Sequence, residues 1–325
     1  PGIYEGLPAR TYHDLEARAS SSLLRRIHNK TPGHAKSRME SDAEPTKAMK
    51  FGTRMHEAVL EPDVFEQRYG VPTRCSGIKN DGDRCTYNGS HPFWETQGEA
   101  EGDEEAEREL TWYCSTHKPE PGESDEGPEA ADIEEIDEDQ MEKIKSMRSV
   151  LEHHPAASQL LFKSPGMAEL SIVGTLDRED GPSGIPVKAR IDRLVRHERF
   201  GMIAVDYKTT RNAQPGPHEF GRTIENRRYD MQGCFYLWTA ATQQIPVDTF
   251  VIVAQEKTPP YAVSTFLLPH QEYDTEIADL ASAETDLNAA LRQYKQCVTT
   301  NEWPTYPPTV QLAEVPAWGD AGTNE

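Results

Sequence analysis

VKARIDRLV at residues 187–195 and MIAVDYKTT at residues 202–210 decide how this chain is read. Both stretches are rich in aliphatic and β-branched residues, the composition of strands. Six residues, RHERFG, separate them, a length suited to a hairpin connection. Alternate side chains of an extended chain share a face. Ala204, Asp206 and Lys208 therefore point one way, and Ile203, Val205 and Tyr207 point the other. If the hairpin pairs symmetrically about its loop, Asp192 falls opposite Asp206. Two carboxylates and an ammonium then converge in one patch.

Hydrolysis of a phosphodiester needs such a patch. Hard oxygen ligands hold Mg²⁺ or Mn²⁺. The metal neutralises phosphoryl oxygens and acidifies a bound water. A nearby lysine orients that water or offsets the charge of the transition state. Asp-x-Lys alone also describes an exposed hairpin carrying a salt bridge, so the neighbours matter. Further period-two segments, AELSIVGTL, DTFVIVAQE and YAVSTFLL, surround the pair. Helical spacing appears over residues 20–30, 48–60, about 140–162, 218–242 and about 270–298. Strands interrupted by helices predict a mixed α/β core. His56 lies beside the apolar stripe of the second helix, in a Gly-x-x-x-His pattern. Gln232 and Tyr236, spaced i, i+4, project from one side of the fourth.

The net charge of −21 argues against a polyanion partner until its distribution is seen. Residues 97–143 hold 19 Asp/Glu and 3 Lys/Arg, which leaves −5 for the other 278 residues. Basic residues gather at Arg25, Arg26, Lys30, Lys36 and Arg38, and again at Arg222, Arg227 and Arg228. These are either solvated faces or parts of a groove that follows phosphates. No apolar run approaches the roughly 20 residues of a membrane span, and no secretory leader opens the sequence. A soluble, cytoplasmic protein is expected, with no membrane partner. Five cysteines without such a leader argue against a disulfide framework.

Seven stretches occur in an order that resembles the exonuclease VIII (RecE-type) family of the PD-(D/E)xK nuclease superfamily. They are GTRMHEAVLEPDVF, AELSI, KARIDRLV, AVDYKTT, RYDMQGCFYLW, VAQEKTPPYAV and NEWPTY. The resemblance implies a restriction-endonuclease-like core with a central mixed β-sheet flanked by helices. It implies that His56, Asp192 and Asp206, with the Tyr207 carbonyl, ligate Mg²⁺ or Mn²⁺, and that Lys208 is catalytic. Glu169 matches a further acidic position of the catalytic group. Gln232 and Tyr236 match a Gln-x-x-x-Tyr motif that positions the substrate strand, and Arg190 is placed with the substrate. The implied activity is 5′→3′ degradation of one strand from linear double-stranded DNA ends, leaving 3′ overhangs for phage-type recombination. A ring-like homo-oligomer, a single-strand annealing recombinase partner and a phage or prophage gene in a bacterial host complete that picture.

Residues 71–143 read as an insertion, with 1–70 and 144–325 forming the core. The insertion carries Cys75, Cys85, Cys114 and His117 in a Cys-x9-Cys-x28-Cys-x2-His pattern. Three thiolates and an imidazole suit a closed, structural tetrahedral Zn²⁺ site. Its acidic, apolar-poor stretch is expected to be disordered. It is read as a spacer, with a docking surface and a nucleic-acid mimic as the other roles. The alternative to an enzyme is a vestigial nuclease fold that binds a partner through this insert.

Overall fold

The 187–210 hairpin forms the middle of a six-stranded sheet. A computed structural model describes residues 1–15, 17–41, 44–97, 107–117, 133–178, 181–269 and 280–312. Its first elements are β1 (Gly2–Tyr4), α1 (Ala9–His13), α2 (Ser21–Asn29), α3 (Pro32–Met39), α4 (Lys47–Leu60) and α5 (Pro62–Arg68). Four strands follow, β2 (Tyr69–Gly70), then β3 (His91–Gln97), β4 (Glu107–Tyr113) and β5 (Glu134–Glu135) within the segment expected to be an insertion. Next come α6 (Glu138–His153), α7 (Pro155–Ser158) with a π-turn at Gln159–Lys163, β6 (Gly166–Leu176), β7 (Ile185–His197) and β8 (Gly201–Thr210). The chain continues through α8 (Phe220–Arg227), α9 (Tyr229–Ala241), β9 (Thr249–Glu256), β10 (Val263–Pro269) and α10 (Leu280–Thr300).

The sheet order is β1-β6-β7-β8-β9-β10. All neighbours are antiparallel except β8 and β9, which run parallel. That single parallel pair needs a crossover, and α8 and α9 supply it. The sheet is therefore mixed and flanked by helices. On one face Leu24, Phe235, Phe250 and Leu291 join α2, α9 and α10 to the strands. On the other, Met55, Met147 and Leu151 bring α4 and α6 against Val195, Val205 and Val253. Ala204 belongs to the first core and Ile203, Val205 and Tyr207 to the second, as strand alternation requires.

Local chemistry sets the helix ends. Ser20, Thr31 and Thr46 cap α2, α3 and α4 by accepting from Leu23, His34 and Met49 N–H groups. Asp137 caps α6 twice over, accepting from the Gln140 backbone and side chain at 2.8 Å each. Residues Met231 to Ala240 of α9 are all buried, as expected of a helix apolar on every side. A Cβ on Gly233 would lie 2.7 Å from the Phe250 ring, so glycine lets α9 settle onto β9.

Several expectations change. Beyond the helices expected over 20–30 and 48–60, Thr31-Pro32 and Glu61-Pro62 open two more, with Pro at the first turn of α3 and α5. The long 218–242 helix is divided at Arg228, whose φ is 52°. The segment expected as an insertion contains the antiparallel β3–β4 pair, and β2 just before it runs parallel to β5. Ordered core packing resumes at Ile136, before residue 144. The acidic runs at 98–106 and 118–132 and the expected start of the last helix at 270 lie outside the described residues. Among the described residues no helix is long and apolar enough to cross a membrane.

Candidate active site and metal centres

The β6–β7 ladder pairs Ala168 with Arg193 and Leu170 with Ile191, which sets Glu169 across from Asp192. The β7–β8 ladder runs from His197–Gly201 to Arg193–Val205, and one further step sets Asp192 across from Asp206. Three acids thus form a row across three adjoining strands, as the symmetric hairpin predicts for the last two. Pairing lapses at Asp192 on both sides. Glu169 adopts φ 48°, a left-handed backbone rare for a residue with a side chain. On the other side the Tyr207 N–H turns from strand β7 to donate to Asp192 Oδ2 at 2.8 Å. The two strands diverge from this point, and the acids occupy the fork.

His56 arrives from α4. Its Nδ1 lies 3.6 Å from Asp192 Oδ2, and its ring is 5.3 Å from that of Tyr207. His56, Glu169 and Asp192 each offer a ligand atom within 4.8 Å of the others. Asp206, expected among the metal ligands, does not join this group. Its Oδ2 lies 2.6 Å from Lys208 Nζ, and its Oδ1 accepts from Gln232 Nε2 at 2.6 Å. Those two partners draw the carboxylate toward α9 and the end of β8.

Burial pushes Asp206 above the usual carboxylate range, Lys208 pulls it back, and Asp192 pushes it further. Burial lowers Lys208, but Asp206 and Asp192 more than offset this, so the ammonium is held above its ordinary value. Glu169 is pushed up to about 7 by burial, with Asp192 adding to the rise and Arg190 opposing it. A cluster of acids that binds protons this readily is also poised to bind a cation.

Gln232 and Tyr236 are buried, and Gln232 Nε2 also reaches Tyr236 Oη at 2.8 Å. Expected beside the substrate, the pair instead addresses Asp206 in this structure. Arg190 likewise has a different task from the substrate contact expected of it. Its guanidinium pairs with Glu169, lies 3.6 Å from Glu61 and donates to the Leu7 carbonyl at 2.8 Å. A cation between two carboxylates is the electrostatically favoured arrangement. Nothing in the sequence marks Glu61 for this role. Tyr207 contributes its hydroxyl to Gln255 at 2.7 Å, which ties β8 to β9 behind the acids.

The model of a PDDEXK-like domain of unknown function, DUF3799, matches residues 20–314. The chain belongs to this PDDEXK-like family. The crystal structure of a "Putative exonuclease" from Eubacterium rectale superposes with a TM-score of 0.51 at 11% identity, over 93% of this chain and 96% of that one. The likeness is one of fold. A second structure, SSO0001, covers 50% of this chain and 60% of its own at 15% identity and a TM-score of 0.27, too loose to bear on the fold. No curated protein sequence matches.

This PDDEXK-like chain carries a second cluster between β2 and β5. Cys75, Cys85, Cys114 and His117 offer ligand atoms within 4.8 Å of one another. Cys85 and Cys114 sulfurs are 3.9 Å apart, and His117 Nδ1 is 3.6 Å from Cys75 Sγ and 3.3 Å from Cys114 Sγ. A Zn–S bond of about 2.3 Å gives a tetrahedron with S–S edges of about 3.8 Å, so the four atoms fit Zn²⁺. The Gly77 and Cys114 N–H groups donate to Cys75 Sγ at 3.4 and 3.2 Å. Burial raises the Cys114 thiol, yet the N–H groups of His117 and Thr116 and the His117 ring bring it down to about 6. Any side chain on Gly77 would collide with His117, so the knuckle turn requires glycine there.

Proposed function

We propose that this chain is a divalent-metal-dependent exodeoxyribonuclease. On this reading it degrades one strand of linear duplex DNA 5′→3′ and leaves a 3′ overhang for recombination. The observation that carries the nuclease reading is the acid row Glu169–Asp192–Asp206, flanked by His56 and Lys208 at the fork of the hairpin. Family membership supports the same reaction class. Polarity, end dependence, a ring-like homo-oligomer and an annealing partner rest on the order of sequence motifs.

The donor set suits Mg²⁺ or Mn²⁺, with carboxylate oxygens and one imidazole rather than thiolates. His56, Glu169 and Asp192 would hold the ion, with Asp206 and the Tyr207 carbonyl as further candidate donors. The bound ion would supply charge for the phosphoryl oxygens and acidify water. Lys208 stays protonated and stands where it can orient an attacking water or offset charge on the phosphate. Gln232 fixes Asp206, and Tyr236 fixes Gln232. The Arg190 clamp keeps Glu169 aimed at Asp192. Zn²⁺, held by Cys75, Cys85, Cys114 and His117, has a structural role because four protein ligands close its sphere.

The test uses linear and closed circular duplex DNA with Mg²⁺ or Mn²⁺, and 5′- or 3′-labelled ends. The wild type should consume the linear form and release the 5′ label first. Asp206→Ala and Lys208→Ala should each slow this by about 10²–10³-fold, the usual cost of a lost electrostatic group. Persistence of linear DNA with both metals would overturn the nuclease reading. Equal cutting of the circle would replace it with an endonuclease.

A further inference from the structure

Two basic stretches far apart in sequence meet beside Lys208. Arg25 Nη1 on α2 donates to the Arg227 carbonyl at the end of α8, 3.0 Å away. Asn29 does the same to the Asn226 carbonyl at 3.2 Å. Between this seam and the end of β8 lies a cavity of about 850 Å³. Arg25, Lys208, Arg211, Arg227 and Lys257 line it, and among the described residues no carboxylate does. Among the described residues none of Arg25, Arg211, Arg227 and Lys257 forms an ion pair. Arg25 Nε is buried without a hydrogen-bond partner. The Tyr229 ring joins the recess to the acids, with Arg25 5.5 Å and Lys208 5.4 Å from its centroid.

In a chain of net charge −21, four cations without an ion pair, gathered beside Lys208 around one recess, are conspicuous. Like charges that line one recess repel one another, so an entering polyanion relieves them. The recess falls within the ~300–1,000 Å³ of ligand-sized pockets. A cavity of about 850 Å³ takes one or a few nucleotides of a single strand rather than the body of a duplex. Thr209, Thr210 and Asn226 add neutral hydrogen-bonding groups to the wall.

We propose that this recess holds the phosphodiester backbone of one unpaired DNA strand beside the Lys208 site, with Arg25, Arg211, Arg227 and Lys257 as its phosphate contacts. The link to catalysis rests on the nuclease reading; the binding does not.

The test measures anisotropy of a labelled oligo(dT) and of a blunt duplex on full-length Asp206→Asn protein, without added divalent ion, across a salt series. R25A/R227A and R211A/K257A should each weaken oligo(dT) binding several-fold. Each pair should flatten the slope of log K against log salt by about 1.4, ~0.7 per lost contact on a single strand. Blunt duplex binding should change less, and R196A/R199A at the far end of the hairpin should change neither. Gln replacements serve wherever Ala lowers the melting temperature. Unchanged oligo(dT) binding in the groove pairs, equal loss in the control pair, or equal loss on duplex would overturn the proposal. Hydrolysis of bis(p-nitrophenyl) phosphate with Mn²⁺, a diester too small to need the recess, separates the two readings. Asp206→Asn should abolish it and the groove pairs should retain it. If Asp206→Asn retains it, the nuclease reading fails while the binding data still decide the groove.

Discussion

At Glu169 a carboxyl group faces Asp192 from a left-handed backbone, half neutralised by Arg190. Its proton affinity is raised above that of an unfolded glutamate near 4.5, to about 7. The folded protein therefore holds more protons than the unfolded chain between those values, and this group's contribution to stability falls as pH rises across that window. A divalent ion must displace the same proton. Mg²⁺ or Mn²⁺ affinity should rise with pH to about 7 and then level off, with up to one proton released below that point. Titration calorimetry in two buffers of different ionisation heat measures the release, and Glu169→Gln should abolish it. A pH-independent affinity between 5 and 7 would remove Glu169 from the metal site. Gln232→Leu should take the amide from Asp206 and lower kcat by about 10–100-fold, the usual effect of losing a group that orients a ligand. KM for DNA should move little if Gln232 acts through Asp206, whereas a direct strand contact would raise it. The spacing of Asp192, Asp206 and Lys208 was legible in the sequence because strand alternation and a symmetric hairpin leave little freedom. The Arg190 clamp was not, because its partners Glu61 and Leu7 come from other elements.

Helix α9 rests on β9 through a glycine, and that contact can be tested directly. Gly233→Ala should push a methyl into Phe250 and cost about 1–3 kcal/mol, the range for overpacked cores. A lower urea midpoint at unchanged m-value would show it. Asp137→Ala, which removes both bonds capping α6, should cost about 0.5–2 kcal/mol. The helices around residues 20–30 and 48–60 and the strands from 168 onward were readable because their apolar spacing matches the period of the element. Helices α3 and α5 were hidden by their own first residues, since Pro32 and Pro62 mark a start as readily as a stop. The β3–β4 hairpin lay concealed in acidic sequence, where alternation is hard to see. The divide at Arg228 left no mark, because arginine is not a residue that announces a left-handed turn.

At the scale of the molecule, α4 and α5 share a border of charge with β5. Arg68 joins Glu57 of α4 to Glu134 of β5 at 2.8 and 2.6 Å, and Arg54 lies 3.6 Å from Glu134. The helix that carries His56 is thus tied to β5. Cys114→Ser should lower bound zinc from one ion per chain, as counted by elemental analysis. It should also expose the 73–117 region to limited proteolysis, while the sheet keeps its far-UV signature. Full zinc occupancy in that variant would remove Cys114 from the site. The two-residue junction of β2 with β5 has a consequence of its own. The chain departs and comes home at neighbouring points, about 4.8 Å apart as in any paired strands. Because β2 and β5 run parallel, a tight turn could not join them, and the chain must travel back before it re-enters. The whole excursion thus leaves and rejoins the fold at one doorway, and the six-stranded sheet keeps its register beside it.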